Sequence, residues 1–196
     1  MSAAVQRLLA FTTLVCALQG CTPGAPPAPI QPPHTAFRLT ASIQDIMQAL
    51  VDPSADTLWD AVDTVADKKG RVSHQPKTDE DWKAVRILAI RLAESTNLLA
   101  LDGRKVVHAG KTLEDTRVAG ILKASDIQAR IDADHGAFVA RASALQFAAE
   151  EAIAAIDAKD AEKLVFAGGH IDEACEQCHL AYWYPNQKIP ELPTRK

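Results

Sequence analysis

Cys175, Cys178 and His179 stand together in the run Cys175-Glu176-Gln177-Cys178-His179. On a helix, positions i, i+3 and i+4 lie on one side. Two thiols on that side can add across the vinyl groups of a porphyrin while the neighbouring imidazole is aimed at its iron, and this spacing is the attachment signature of haem c. The residues therefore predict one covalent haem, held by Cys175 and Cys178 and ligated by His179. Soft thiolates and imidazole also suit other metals, so two rivals have to be weighed. A thioredoxin-type dithiol expects CxxC where a helix starts after a strand, whereas this motif falls late in a helical pattern. A zinc site needs a fourth ligand and usually a second paired motif.

Met47 is the one methionine besides the initiator. It falls on an apolar stripe with Ile43, Ile46 and Leu50, where a thioether packs well in a core. The same thioether could serve as a sixth iron ligand if its helix lies against the one bearing His179. Among the other histidines, His135 lies on an apolar stripe and reads as a satisfied buried imidazole. His170 shares the helix of His179 and cannot reach the opposite face of the same haem. His34 falls in a proline-rich stretch, and His74 and His108 in loops. Arg104 and Lys105 could neutralise haem carboxylates but read as a solvated basic patch. Gly168-Gly169 allows either close approach of a macrocycle or a local kink.

The other cysteines have separate fates. Arg7 followed by the apolar run Leu8 to Leu18 reads as a signal peptide, too short to span a bilayer. Leu18-Gln19-Gly20-Cys21 resembles the bacterial lipobox, with Gln19 unusual in it, so Cys21 is expected to carry a lipid and residues 1–20 to be removed. Cys16 leaves with the signal. Only Cys175 and Cys178 remain, and in an oxidising compartment such a pair needs a use. Export thus implies a periplasmic protein anchored to a bacterial membrane.

Residues 21–39 hold six of the eleven prolines and read as an extended spacer. Between Ser54 and Tyr184 the only proline is Pro76, which leaves room for long helices, and strand signals are missing. The first helix is expected over about 40–51. Asp52-Pro53 then caps and restarts it as a kinked continuation to Gly70. Thr78 and Asp81 form a capping box opening a helix with Trp82, Val85, Leu88, Leu92 and Leu99 on one face, stopped by Asp102-Gly103. The stretch 103–123 is a connection with room for a short helix. Ser125 with Gln128 reads as a second capping box, beginning one continuous helix through Ile127, Ile131, His135, Phe138, Leu145 and Ile156. After a hinge near 157–160, a last helix carries Leu164, Ala167, Ile171 and the haem motif, ending at Pro185. The fold expected over residues 40–187 is all-α, an antiparallel four-helix bundle with the haem-attachment motif on the C-terminal helix, followed by a tail at 188–196.

The net charge of -4 argues against nucleic acid as a partner, since a phosphate-binding face needs surplus Lys and Arg. No paired acid and base or activated nucleophile appears outside the haem motif, so the expected role is electron carriage rather than enzymatic catalysis.

A haem motif near the carboxyl end of an exported helical bundle resembles the class II cytochromes c, the cytochrome c prime and cytochrome c-556 group. The stretches Val51-Asp52-Pro53-Ser54-Ala55-Asp56 with Trp59, Thr78-Asp79-Glu80-Asp81-Trp82, and Tyr182-Trp183-Tyr184-Pro185 look like a sub-branch of it. The likeness covers residues 40–187, and CxxCH is its specific motif. It implies that Met47 is the sixth iron ligand of a low-spin haem that passes single electrons between redox partner proteins. The alternative is a five-coordinate haem that binds or senses NO or CO; a third possibility is a membrane-surface interaction module with a structural haem. The resemblance also implies a possible homodimer through the first helices. Relatives often place a basic residue shortly before the methionine, and this chain has none there.

Overall fold

A computed structural model describes residues 37–67 and 70–187. The signal peptide, Cys21, the spacer up to residue 36 and the tail 188–196 lie outside the described residues. The elements below belong to one unit, residues 38–196.

Ser42 opens the first helical stretch with a capping box: its hydroxyl accepts from the Asp45 N–H at 3.1 Å, and the Asp45 carboxylate accepts from the Ser42 N–H at 2.8 Å. Helical backbone then continues from α1 (Ile43–Ile46) through a π-helical turn (Met47–Val51) into α2 (Asp52–Asp60). The expected capped restart at Asp52 does not occur. Asp52 is itself helical (φ -56, ψ -53), and its N–H donates five residues back to the Met47 carbonyl. Pro53 explains the wider turn, because it lacks the N–H that an α-helix would send to residue 49 and its ring crowds that carbonyl.

The helix also stops short of Gly70. After Asp60 the chain forms an antiparallel hairpin of β1 (Thr64–Asp67) and β2 (Gly70–Ser73), with Thr64 paired to Ser73 and Asp67 to Gly70. Thr64, Val65 and Val72 are β-branched residues that fit a strand, and Gly70 adopts φ +134, which favours glycine. The hairpin's base is closed by His74, whose N–H donates to the Asp63 carbonyl at 2.9 Å and whose Nδ1 lies 2.5 Å from the Asp63 carboxylate.

The Thr78–Asp81 capping box opens α3 (Asp79–Leu99) as the sequence predicts, with Trp82, Val85, Leu92 and Leu99 buried. The second expected box is absent. Lys123 precedes α4 (Ala124–Ala133) without a side-chain cap, and Gln128 instead accepts from the Val106 N–H at 2.9 Å. The single long helix expected here is two: Asp134 (φ -148, ψ 78) breaks it, accepting from the Ala137 N–H and capping α5 (His135–Asp157). A short side-chain acceptor competes with the helical ladder, and Gly136 just after it weakens continuity further. His135, at the break, is half-buried rather than enclosed, 6.4 Å from the Phe138 ring. The hinge falls at Lys159 (φ +52) and Asp160, which caps α6 (Ala161–Tyr182).

Among the described residues the architecture is helical, with one small hairpin. α5 packs against both α3 and α6, and α2 also meets both of these. The alanines at 142, 149, 152 and 155 are buried, so α5 can approach two neighbours closely. The stretch 103–123 contains no regular helix, but it is pinned. The N–H groups of Ile43 and Gln44 donate to Lys105 and Val106 carbonyls at 2.8 and 3.1 Å, and Leu122 N–H donates to the Trp183 carbonyl at 2.8 Å. Arg104 is buried, not solvated: its guanidinium donates to the Leu98 and Ala41 carbonyls at 2.7 and 2.5 Å, closing the end of α3 against the start of the domain.

Candidate haem crevice

Cys175 and Cys178 lie late in α6, free and half-buried, with His179 beside them, also half-buried. A small cavity under the motif is lined by Cys175, Cys178, His179, Met47, Phe138 and Leu145. A second cavity of about 270 Å³ is lined by Met47 and His179 again, together with Leu113, Ile121, Trp183 and Tyr184. Met47 and His179 are thus walls of both spaces. The π-helical turn begins at Met47, and the pinned 113–121 stretch covers the other side. Of the residues singled out in the sequence, Cys175, Cys178, His179 and Met47 come together here. His74, His108 and His170 do not: each is exposed and faces an acid, Asp63, Asp45 and Glu151 respectively, at 2.5–2.6 Å.

The local electrostatics are those of an apolar pocket. Burial pushes the Cys175 thiol up to about 12, with the nearby Cys178, Asp52 and Asp172 adding to it, and burial pushes Cys178 up to about 11 against the opposing charge of Arg141. A disulfide oxidoreductase needs the opposite, a thiol depressed at a helix start. Burial also lowers the His179 imidazole, partly offset by Glu176 and Asp115, which favours the neutral form with a nitrogen lone pair for a metal.

Aromatic side chains hold His179 in place. The rings of Trp183 and Tyr184 each lie 5.8 Å from the imidazole, and both backbone N–H groups donate to the His179 carbonyl. The Tyr184 hydroxyl donates to Glu176 at 2.8 Å; burial and that bond raise its pKa. The roles of Leu113, Ile121, Phe138 and Leu99 were missed from the sequence. The aromatic run 182–184 was a usable signal, whereas 103–123 has no periodicity to read.

The residues present fit haem. Two thiols share one helix face, a neutral imidazole follows them, a thioether lies across the same spaces, and Leu99, Phe138 and Leu145 supply apolar wall. Among the described residues, no three His, Cys, Asp or Glu side chains gather into a group able to hold a metal ion. The glycine pair before the motif lies inside the continuous α6 and lines neither crevice cavity: Gly168 admits the indole of Trp59, whose Nε1 donates to the Gly168 carbonyl at 2.9 Å.

No family model, curated protein or solved structure matches this chain.

Proposed function

We propose that this chain is an exported, lipid-anchored c-type cytochrome that carries single electrons between redox partner proteins. Its fold is read as an antiparallel four-helix bundle made of the 43–60 helical stretch, α3, α5 and α6. The observation that carries the reading is the convergence of Cys175, Cys178, His179 and Met47 on one crevice. When bound, haem c supplies a one-electron iron couple. Cys175 and Cys178 would hold the macrocycle by thioether bonds to α6. His179 and Met47 would ligate its iron, the one from α6 and the other from the 43–60 stretch. A thioether ligand favours the reduced state and raises the potential. Leu99, Phe138 and Leu145 keep water from the crevice. The lipid on Cys21 keeps the domain at the periplasmic side of a membrane, and the acidic surface suits a basic partner.

Expression of the full chain in a host competent in cytochrome c maturation, followed by a pyridine haemochrome spectrum and intact mass, tests this directly. The expected product has one haem bound through two thioethers and a lipid at the mature amino terminus. A colourless protein with both thiols free or joined to each other overturns the haem reading, and an unlipidated but coloured one overturns only the anchor. A ferrous form that is high-spin and takes up CO readily assigns a five-coordinate haem instead.

A further inference from the structure

α6 runs through the CxxCH motif and stops three residues past His179, at Tyr182. Successive residues stand about 100° apart around a helix, which puts Cys175 and Cys178 on one side of His179 and Glu176 and Trp183 on the other. Glu176 and Gln177 read as mere spacers in the attachment signature. Gln177 faces away and borders an outer hollow of α5 and α6, whereas Glu176 is the neighbour of His179 around the helix.

The chain beyond α6 doubles back toward Glu176. The N–H groups of Trp183 and Tyr184 donate to the His179 carbonyl at 2.8 and 3.0 Å, so one acceptor ends the helix and turns the chain. The Tyr184 carbonyl accepts from the Gln187 N–H at 2.9 Å, which ties Tyr184 on both sides of its α-carbon. Its hydroxyl donates to Glu176 Oε2 at 2.8 Å, eight residues back along the chain. Between these ties the Tyr184 ring lies 5.8 Å from the imidazole at 59°, and the Trp183 ring 5.8 Å from it at 53°. Trp183 is anchored in turn, its carbonyl accepting from the Leu122 N–H at 2.8 Å. His179 thus has the cysteines on one side and a two-ring clip beside it.

Given the haem reading, on which this step rests, we infer that Tyr184 and Glu176 are positioning residues for His179: the phenol–carboxylate bond latches the Tyr184 ring against the imidazole and holds it in one orientation. A histidine on a helix has two accessible χ1 wells, and fixed rings beside it leave the side chain a single setting. Groups around a ligating imidazole set its orientation toward the metal. Both partners of the latch are half-buried, and a hydrogen bond to a charged acceptor is stronger than one between neutral groups. The latch is separate from ordinary helix capping. The backbone bonds to the His179 carbonyl already end α6, and Glu176 lies six residues before that end.

The test compares the full chain, matured with haem, with Tyr184→Phe, Glu176→Ala and Glu176→Gln. Tyr184→Phe keeps the ring and loses the hydroxyl, while Glu176→Gln keeps an oxygen able to accept from it. Electron paramagnetic resonance of the ferric form gives g-values that report the orientation of the axial imidazole. Hydrogen exchange at the Tyr184 N–H in the ferrous form reports opening of the clip. Tyr184→Phe and Glu176→Ala are each expected to shift or split the g-values and to speed exchange about tenfold, with no further change when combined. Glu176→Gln is expected to stay close to wild type, and helical circular dichroism to be unchanged throughout. A coloured wild type whose g-values are the same in Tyr184→Phe and Glu176→Ala overturns the proposal alone, and so do effects that add in the double variant. A colourless wild type overturns the haem reading, and the positioning role falls with it.

Discussion

The Trp59 indole rests on Gly168, with Nε1 donating to the Gly168 carbonyl at 2.9 Å, and this bond fastens the helical stretch that bears Met47 to the helix that bears the cysteines. A β-carbon added at Gly168 would stand 3.1 Å from Trp59 Cδ1, while one added at Gly169 meets nothing within 4 Å. Alanine is the better helix former by ~1 kcal/mol at either site. At Gly169 that gain is unopposed, so Gly169→Ala should stabilise the protein by about 0.5–1 kcal/mol. At Gly168 the indole cannot withdraw without stretching its own hydrogen bond, so overpacking outweighs propensity and Gly168→Ala should cost about 1–2 kcal/mol. Thermal unfolding of the two variants side by side checks the opposite signs.

Met47 begins the π-helical turn and borders both cavities that His179 borders. If its sulfur ligates the iron of the proposed haem, Met47→Ala opens one axial position. The ferric and ferrous spectra should change from low-spin to high-spin, CO should bind to the ferrous form, and the midpoint potential should fall. Met47→Leu keeps the apolar volume without the thioether and should give the same spectra. Low-spin spectra in both variants would assign Met47 to packing alone.

The helices that depend on one amphipathic stripe with a capping box or a short acidic cap were legible residue by residue, as α3 and α6 show. What escaped depends on contacts remote in sequence or on the backbone. Asp134 reads as one more polar position on a long periodic stripe until its carboxylate is seen to cap Ala137. Pro53 reads as a helix start, yet helical turns precede it and widen to admit it. Arg104 reads as surface charge because its partners, the Leu98 and Ala41 carbonyls, are main-chain groups that carry no sequence signal. In the candidate crevice, Cys175, Cys178 and His179 stand out by residue type and spacing, whereas the spacing of Met47 reads as core packing and only the family resemblance turns it toward an iron. The 113–121 wall was not legible, because its place is fixed by backbone bonds to α1 and to Trp183.

Ser54 is fully buried in α2, and its hydroxyl is the one fully buried side-chain polar atom without a hydrogen-bond partner among the described residues. An unmade hydrogen bond leaves its desolvation cost uncompensated, and serine is also a weaker helix former than alanine. Ser54→Ala is therefore expected to stabilise the fold by about 1 kcal/mol, raising the midpoint of thermal unfolding by roughly 2–4 °C. Ser54→Val, which overfills the same position, should lose that gain. A loss of stability in Ser54→Ala would mean that the hydroxyl has a partner in solution.

Acid should weaken the domain through carboxylates placed where they accept hydrogen bonds, Asp81, Asp157 and Asp160 among them. Asp81 is held below its ordinary value chiefly by the Thr78 backbone N–H, Asp160 by that of Lys163, and Asp157 by the Arg86 guanidinium, whose Nε lies 2.6 Å away. Each folded pKa lies below the unfolded value of 3.8. Their contribution is present above that value and is lost as pH falls through the folded pKa values, a window that opens near pH 4 and extends downward. All three groups face solvent, so the effect is modest and shrinks with added salt. Asp81→Asn keeps the shape of the α3 cap but does not titrate. Its unfolding midpoint should start lower than wild type at pH 6 and fall less steeply between pH 4 and pH 2.5, so that the two curves converge. Parallel curves over that range would remove Asp81 from the acid response.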